Sequence, residues 1–201
     1  PSHVPHEEEN LYLTKENNEV LDIWSKFLES FPKDKPLPGF PIWSHEWGAT
    51  YPFEFNTPQA STVDELQNTK GIYGKQIHGN SKEDIISHFI PRYAQKDQIK
   101  FPSWKIVYIR KNRDFYDQNK MFIDEFVKSN PKLKELKFSY QKFEWSCQGA
   151  SRNFDDKILQ FRPSGLRVKL NNWAPALTTI RTQNVYIPKL KRKLSLLEIS
   201  K

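Results

Sequence analysis

Apolar residues recur at helical spacing from Asn18 to Phe31. Val20, Trp24, Phe27, Leu28 and Phe31 share one face, and Pro32 closes the run, so the spacing predicts a helix over 18–31. The next stretch, "KPLPGFPIWSHEWGATYPF", has no period but is dense in prolines and aromatic rings. It reads as an ordered loop, because disordered segments are poor in aromatics. Ser81 followed by Asp84 starts a helix that runs through Phe89 and stops before Pro91. From Ser103 to Ser129 the helical period returns, with a break near Asp117. Trp104, Tyr108, Phe115, Phe122, Ile123 and Phe126 supply its apolar face, and Arg110, Lys111 and Arg113 lie on or beside the exposed side.

The period then shortens to two. "KFSYQKFEW", "KILQFR", "GLRVKL", "ALTTI" and "NVYIP" are short strand candidates separated by Gly, Pro, Asn and Asp, and Ser195-Leu-Leu-Glu198 is a capping box that opens a last helix. The pattern predicts an α+β fold: N-terminal helices and ordered Pro/aromatic-rich loops, followed by a small, irregular, mostly antiparallel sheet.

Composition sharpens this picture. The 201 residues suit one good-sized domain or two small ones, and 14 Phe, 8 Tyr and 6 Trp favour a core pinned by large rings. The excess of 31 Lys+Arg over 24 Asp+Glu is compatible with a polyanionic partner, and the basic residues sit mostly after the acidic first third. One cysteine excludes an internal disulfide framework and suits a reducing compartment. No apolar run approaches the roughly 18 residues of a membrane span, and no signal-peptide pattern opens the chain. A start on Pro1 and an end on Lys201, just inside the last helix, read as a fragment or a subunit.

The usual catalytic patterns are sparse. The seven glycines never fall as G-x-G-x-x-G, and the five histidines have no metal-ligand spacing. Glu135-Leu-Lys137, with Asp124 and Glu125 upstream, has the acid-x-Lys form of a metal-dependent nuclease, although "NPKLKELK" also reads as a solvated turn into a strand. Cys147 in "EWSCQG" ends an aromatic-rich strand, which points to a partly buried thiol rather than a nucleophile.

Between Gln160 and Gln183, Arg and Lys alternate with aliphatics after a Pro and a Gly. A strand here buries Leu166, Val168 and Leu170 and presents Arg167 and Lys169 on the other face. The basic face serves either to contact phosphates or to keep a solvated edge strand from aggregating. The residues alone leave both open.

The stretch "QFRPSGLRVK…APALTT…TQNVYIP…KRKLSLLEISK" resembles the C-terminal part of DNA (cytosine-5)-methyltransferases. There an Arg-rich segment with a Gly leads into a Pro-Thr-Leu-Thr-like strand, a further strand, and an R-x-Leu-Thr-Pro-Arg-Glu run that opens a helix. The matching stretches are Arg162 to Lys169, Pro175 to Thr179, Gln183 to Ile187 and Arg192 to Glu198. Upstream, "LPGFPIW", "FPSWKIVYIRKNRDFY" and "QKFEWSCQG" are similar to the recognition insert of one bacterial branch.

The chain departs from the family in several places. Ser146-Cys147-Gln148 lacks the proline of the family's Pro-Cys-Gln loop and lies downstream of where that loop belongs, so the nucleophile is not carried over. The methyl-donor, Glu-Asn-Val and Gly-Asn-Ser-Val motifs are missing. Ala176 stands where the family has a phosphate-contacting Thr, with Thr178 and Thr179 close enough to substitute.

The resemblance implies a target-recognition domain over 1–160, its helical part about 18–130 and its strands from about 136, and the start of the returning small domain over 161–201. It implies double-stranded DNA as partner, beside the catalytic domain or subunit of the same enzyme. Phosphate contacts are expected from Arg162, Ser164, Arg167, Lys169, Thr178 and Thr179. In the loop "CQGASRNFDD", Gln148 and Asn153 suit adenine edges and Arg152 suits guanine. The intact enzyme would use S-adenosylmethionine, and this chain alone would hold neither cofactor nor complete active site. A restriction–modification system in the bacterial cytoplasm is the implied setting. A stand-alone DNA-binding module, a nuclease built on Glu135 and Lys137, and a scaffold piece that packs on an acidic partner are the rival readings.

Overall fold

The computed structural model describes residues 11–96, 99–172 and 184–193, which fold as two compact units. One is drawn from residues 1–41 and 126–201, the other from 42–125.

In the first unit, helix α1 (Lys15–Ser30) starts where the Thr14 side chain accepts a 3.2 Å hydrogen bond from Asn17 N. It ends where Phe31 turns extended ahead of Pro32. The predicted face is the buried one: Val20, Trp24, Phe27 and Leu28 are each 0% exposed. Trp24 lies flat on Phe143 with ring centroids 4.8 Å apart. A buried indole N–H needs an acceptor, and Trp24 donates to Tyr140 O at 2.9 Å.

The ring-rich face of a sheet receives this helix. Strands β2 (Lys142–Ser146), β3 (Lys157–Arg162), β4 (Gly165–Leu170), β5 (Asn184–Ile187) and β6 (Arg192–Lys193) follow one another as β2–β4–β3–β5–β6. The β2–β4 pair is parallel and the others are antiparallel. The mostly antiparallel α+β expectation therefore holds. Period-two alternation divides the rows cleanly: Trp145, Val168, Leu159 and Tyr186 stand side by side on one face and Glu144, Arg167, Gln160 and Val185 on the other.

The β3 and β4 ranges match the sequence patterns residue for residue. Two details differ. The first half of "KFSYQKFEW" is a turn, with Tyr140 N donating to Lys137 O at 2.8 Å, and only its end is strand. Leu170, expected in the core, is 38% exposed, because β2 runs out opposite Lys169 and leaves the strand end uncovered. Gly165 (φ +124°) is packed tightly within the sheet: a Cβ there would meet Lys142 O at 2.6 Å. The expected Ala176–Ile180 strand and the Ser195–Glu198 capping box lie outside the described residues.

In the second unit, β1 (Ile42–Trp43) leads into a 3-10 turn over Ser44–Glu46. Helix α2 (Val63–Gln67) opens on a Thr62/Glu65 capping box. Helix α3 (Lys82–Phe89) opens on Ser81, whose side chain accepts from Asp84 N. The long helical stretch is two helices, α4 (Ser103–Gln118) in this unit and α5 (Lys120–Ser129), whose residues from 126 on belong to the first unit; the break falls at Asn119, near the expected Asp117.

The α4 face is a correction to the periodicity reading. Trp104 is 56% exposed, while Lys105, Ile109, Asn112 and Phe115 are the buried residues. Polar groups occupy that face because each finds a partner. Lys105 Nζ donates to Tyr93 O at 2.5 Å, and Asn112 Oδ1 accepts from Trp43 N at 2.6 Å.

Candidate nucleic-acid interface

The loop between β2 and β3, residues 147–156, carries the three expected base readers. It begins with a turn in which Ala150 N donates to Cys147 O at 3.0 Å and Gly149 takes φ +81°. Arg152 does not point out of it. Its Nη1 donates to Phe31 O at 3.2 Å and Pro32 O at 2.9 Å, its Nη2 donates to Lys35 O, and the guanidinium carbon lies 5.6 Å from the Phe31 ring centroid. The Gln148 amide donates to Trp145 O at 3.0 Å and Pro38 O at 3.4 Å. Asn153 is exposed, between Arg152 and the buried ring of Phe154.

The predicted phosphate contacts fall on the β3–β4 hairpin, but at two ends of it. Lys169 pairs in register with Ser146, the residue before the loop, and so lies at the loop end of the sheet. The Pro163–Ser164 turn is at the other end of β4, roughly 17 Å away along a strand of this length. Lys169 therefore lies at the end of the sheet from which the loop with Gln148, Arg152 and Asn153 leaves, and Arg162 and exposed Ser164 lie at the other. Thr178 and Thr179 lie outside the described residues.

Arg162 and Arg167 converge on Glu144, a residue that the motif reading passed over. Arg162 Nη2 donates to Glu144 Oε2 at 2.7 Å, and Arg167 Nε lies 2.9 Å from Oε1. Burial pushes the Glu144 carboxyl up, and the hydrogen bonds from the two arginines outweigh it, so the group is held below its ordinary range. One carboxylate between two guanidiniums leaves this cluster a single surplus positive charge, to which Lys169 further along the same face of β4 adds a second. The signal available in the sequence was an acid at the outward-facing position of β2, beside a strand with arginine at its own outward position.

Cys147 is buried, and burial pushes its thiol up to about 11, the opposite of nucleophile activation. In the nuclease reading, Lys137 should face a metal site, but its Nζ lies 2.5 Å from Glu16 Oε2. Among the described residues no group of three His, Cys, Asp or Glu is placed to hold a metal ion, and no helix is long and apolar enough to cross a membrane.

The second unit holds a buried cluster that sequence reasoning missed. Glu46, 0% exposed, accepts from Tyr51 OH, from Tyr93 OH at 2.6 Å and from Arg113 Nε at 2.9 Å. Arg113, expected on or beside a solvated helix face, also lies over the Tyr51 and Phe53 rings at 4.3 and 4.5 Å. Arg110, the neighbour it was grouped with, is exposed and pairs with Glu54 at 2.8 Å.

No protein-family model matches the chain, and no solved structure matches it. Among curated proteins, the type II methyltransferase M.AluI of Cellulosimicrobium cellulans is 27% identical over 201 residues, an alignment that takes in 92% of this chain and 36% of that protein. The chain therefore spans just over a third of the length of the relative it matches. The methyltransferase likeness first seen in the C-terminal motifs extends over most of the chain.

Proposed function

We propose that this chain is the target-recognition region of a DNA (cytosine-5)-methyltransferase and gives the enzyme its choice of duplex sequence. The observation that carries the reading is the alignment: nearly all of this chain matches, yet it corresponds to a minor part of a type II methyltransferase. Residues 1–160 then form the recognition domain and 161–201 begin the returning small domain. The intact enzyme transfers a methyl group from S-adenosylmethionine to carbon 5 of a flipped cytosine, within a restriction–modification system in a bacterial cytoplasm. The donor and the attacking cysteine belong to a catalytic domain or subunit outside this stretch, and this chain is inactive alone. The high thiol value of Cys147 supports that division of labour.

On this reading Lys169 and the loop beside it approach the DNA together, with Lys169 on a phosphate and the loop in the major groove. The test is a salt-dependent titration of the chain against randomised duplexes, with the bound pool sequenced. The expected result is one enriched short motif. Lys169→Ala should weaken binding to all sequences alike and reduce the salt slope by about 1. Binding with no enriched motif would reduce the reading to a basic surface.

A further inference from the structure

We infer that Arg152 is a positioning residue that pins the recognition loop to the proline-rich turn after α1, and that Asn153 beside it is the side chain that reads a base. The inference rests on the DNA-recognition reading above and goes further by dividing the roles within the loop.

The reason for the pin lies in the turn. Residues 31–38 include Pro32, Pro36 and Pro38, none of which has an N–H to offer. The turn also follows the end of α1, where the last helical carbonyls lack intrahelical donors. Such a segment is rich in acceptors and short of donors, and the loop supplies them. Arg152 gives N–H groups to the carbonyls of Phe31, Pro32 and Lys35, and Gln148 gives one to Pro38 O. A cation near a helix C-terminus is also favoured by the helix dipole.

The same geometry decides what can read DNA. A bidentate contact to guanine through the two terminal nitrogens needs a free N–H on each, and Arg152 gives both N–H groups of Nη1 and one of Nη2 to carbonyls, so that edge of the fork is committed to the turn. Gln148 has committed its amide N–H groups to Trp145 O and Pro38 O, so it cannot make the donor-and-acceptor pair that adenine requires. Asn153 is exposed between a pinned Arg152 and Phe154, which is 8% exposed. The residue is thus exposed between two anchored neighbours, the arrangement expected of a pre-organised reader.

The experiment is selection on randomised duplexes with the full chain, its Arg152→Ala, Arg152→Lys and Asn153→Ala variants, and amide hydrogen exchange on each without DNA. Asn153→Ala should relax preference at one base pair by roughly 10- to 100-fold and leave exchange as in the parent. Arg152→Ala should flatten every position of the motif together and speed exchange over 31–38 and 148–154. Arg152→Lys should behave like the alanine variant, since one ammonium cannot replace the fork. Relaxation at a single base pair in Arg152→Ala, unchanged exchange, or full rescue by lysine would overturn the pin. Full retention of the motif in Asn153→Ala would overturn the reader. If the parent chain enriches no motif, the DNA-recognition reading fails with the reader, and the exchange data still decide the pin.

Discussion

Glu144 on β2 and Arg167 on β4 stand opposite each other across the parallel pair, with Glu144 Oε1 2.9 Å from Arg167 Nε. Arg162, at the end of β3, reaches the other carboxylate oxygen at 2.7 Å. The carboxylate thus ties together three strands, including the two that no short turn connects. Gln160 Oε1 and Arg162 Nε are buried on the neighbouring strand without a hydrogen-bond partner among the described residues, a desolvation cost to the fold that the contacts of Glu144 have to offset.

Acid should therefore loosen the sheet. The folded-state value of Glu144 lies below the ordinary one near 4.3, so its stabilising contribution is in force above about pH 4.3 and is lost as pH falls through the folded value. Glu144→Gln should cost about 1–3 kcal/mol at neutral pH, because two guanidiniums lose a charged acceptor. Urea unfolding midpoints of the two proteins, followed from neutral pH into acid, should converge. A gap that stays constant would show that the pair contributes nothing dependent on charge.

The second unit should be more sensitive at Arg113 than at the arginine beside it. Removing Arg113 leaves the Glu46 carboxylate buried with only the two phenols, and breaking such a pair costs about 3–5 kcal/mol. Arg110→Ala removes an exposed pair worth about 0–1 kcal/mol. Denaturant unfolding of Arg113→Ala, Glu46→Gln and the double variant completes the cycle. The double variant should lose less than the sum of the single losses, because no lone charge is left behind.

The contrast between these two arginines shows where the sequence was readable. Helix α1, the Ser81 cap of α3 and strands β3 and β4 could be read because local spacing and local chemistry agree there with the final burial. Along α4 they conflict. Lys105, Asn112 and Arg113 look solvated by type, yet each is drawn inward by a partner distant in sequence: Tyr93, 12 residues away, Trp43, 69 away, and Glu46, 67 away. No window on a single segment contains those partners. The β2–β4 pairing is also non-local, since the β3–β4 hairpin has to fold back before β4 can lie beside β2. At the candidate interface, the sequence pointed to the loop and the basic strand and gave Arg152 a base to read, with no sign of the contacts that its guanidinium makes within the fold. Its carbonyl acceptors lie 117 to 121 residues earlier, where the first predicted helix ends and the proline- and ring-rich stretch begins.

Gly165→Ala should be costly out of proportion to the single carbon added. The new Cβ would lie 2.6 Å from Lys142 O, and the backbone there has φ +124°. Strain of this kind costs about 1–3 kcal/mol. Relief would have to come from separating β4 from the start of β2. Thermal melting should report the loss, and faster amide exchange in β2 and β4 should locate it. An unchanged melting temperature would mean that the hairpin shifts without resistance.

Cys147 gives a test that separates structure from catalysis. Its side chain is 1% exposed, and burial holds its thiol near 11 even with the Lys157 and Lys169 charges favouring the thiolate. At pH 7 such a thiol is ionised to about 1 part in 10,000, which slows alkylation before access is considered. The folded chain should therefore react with iodoacetamide far more slowly than the chain in denaturant. Cys147→Ala should keep the DNA motif of the parent, since the residue's part is to fill the end of β2. Rapid labelling of the folded chain, with loss of DNA binding as labelling proceeds, would instead put the thiol at the interface and return it to the list of functional groups.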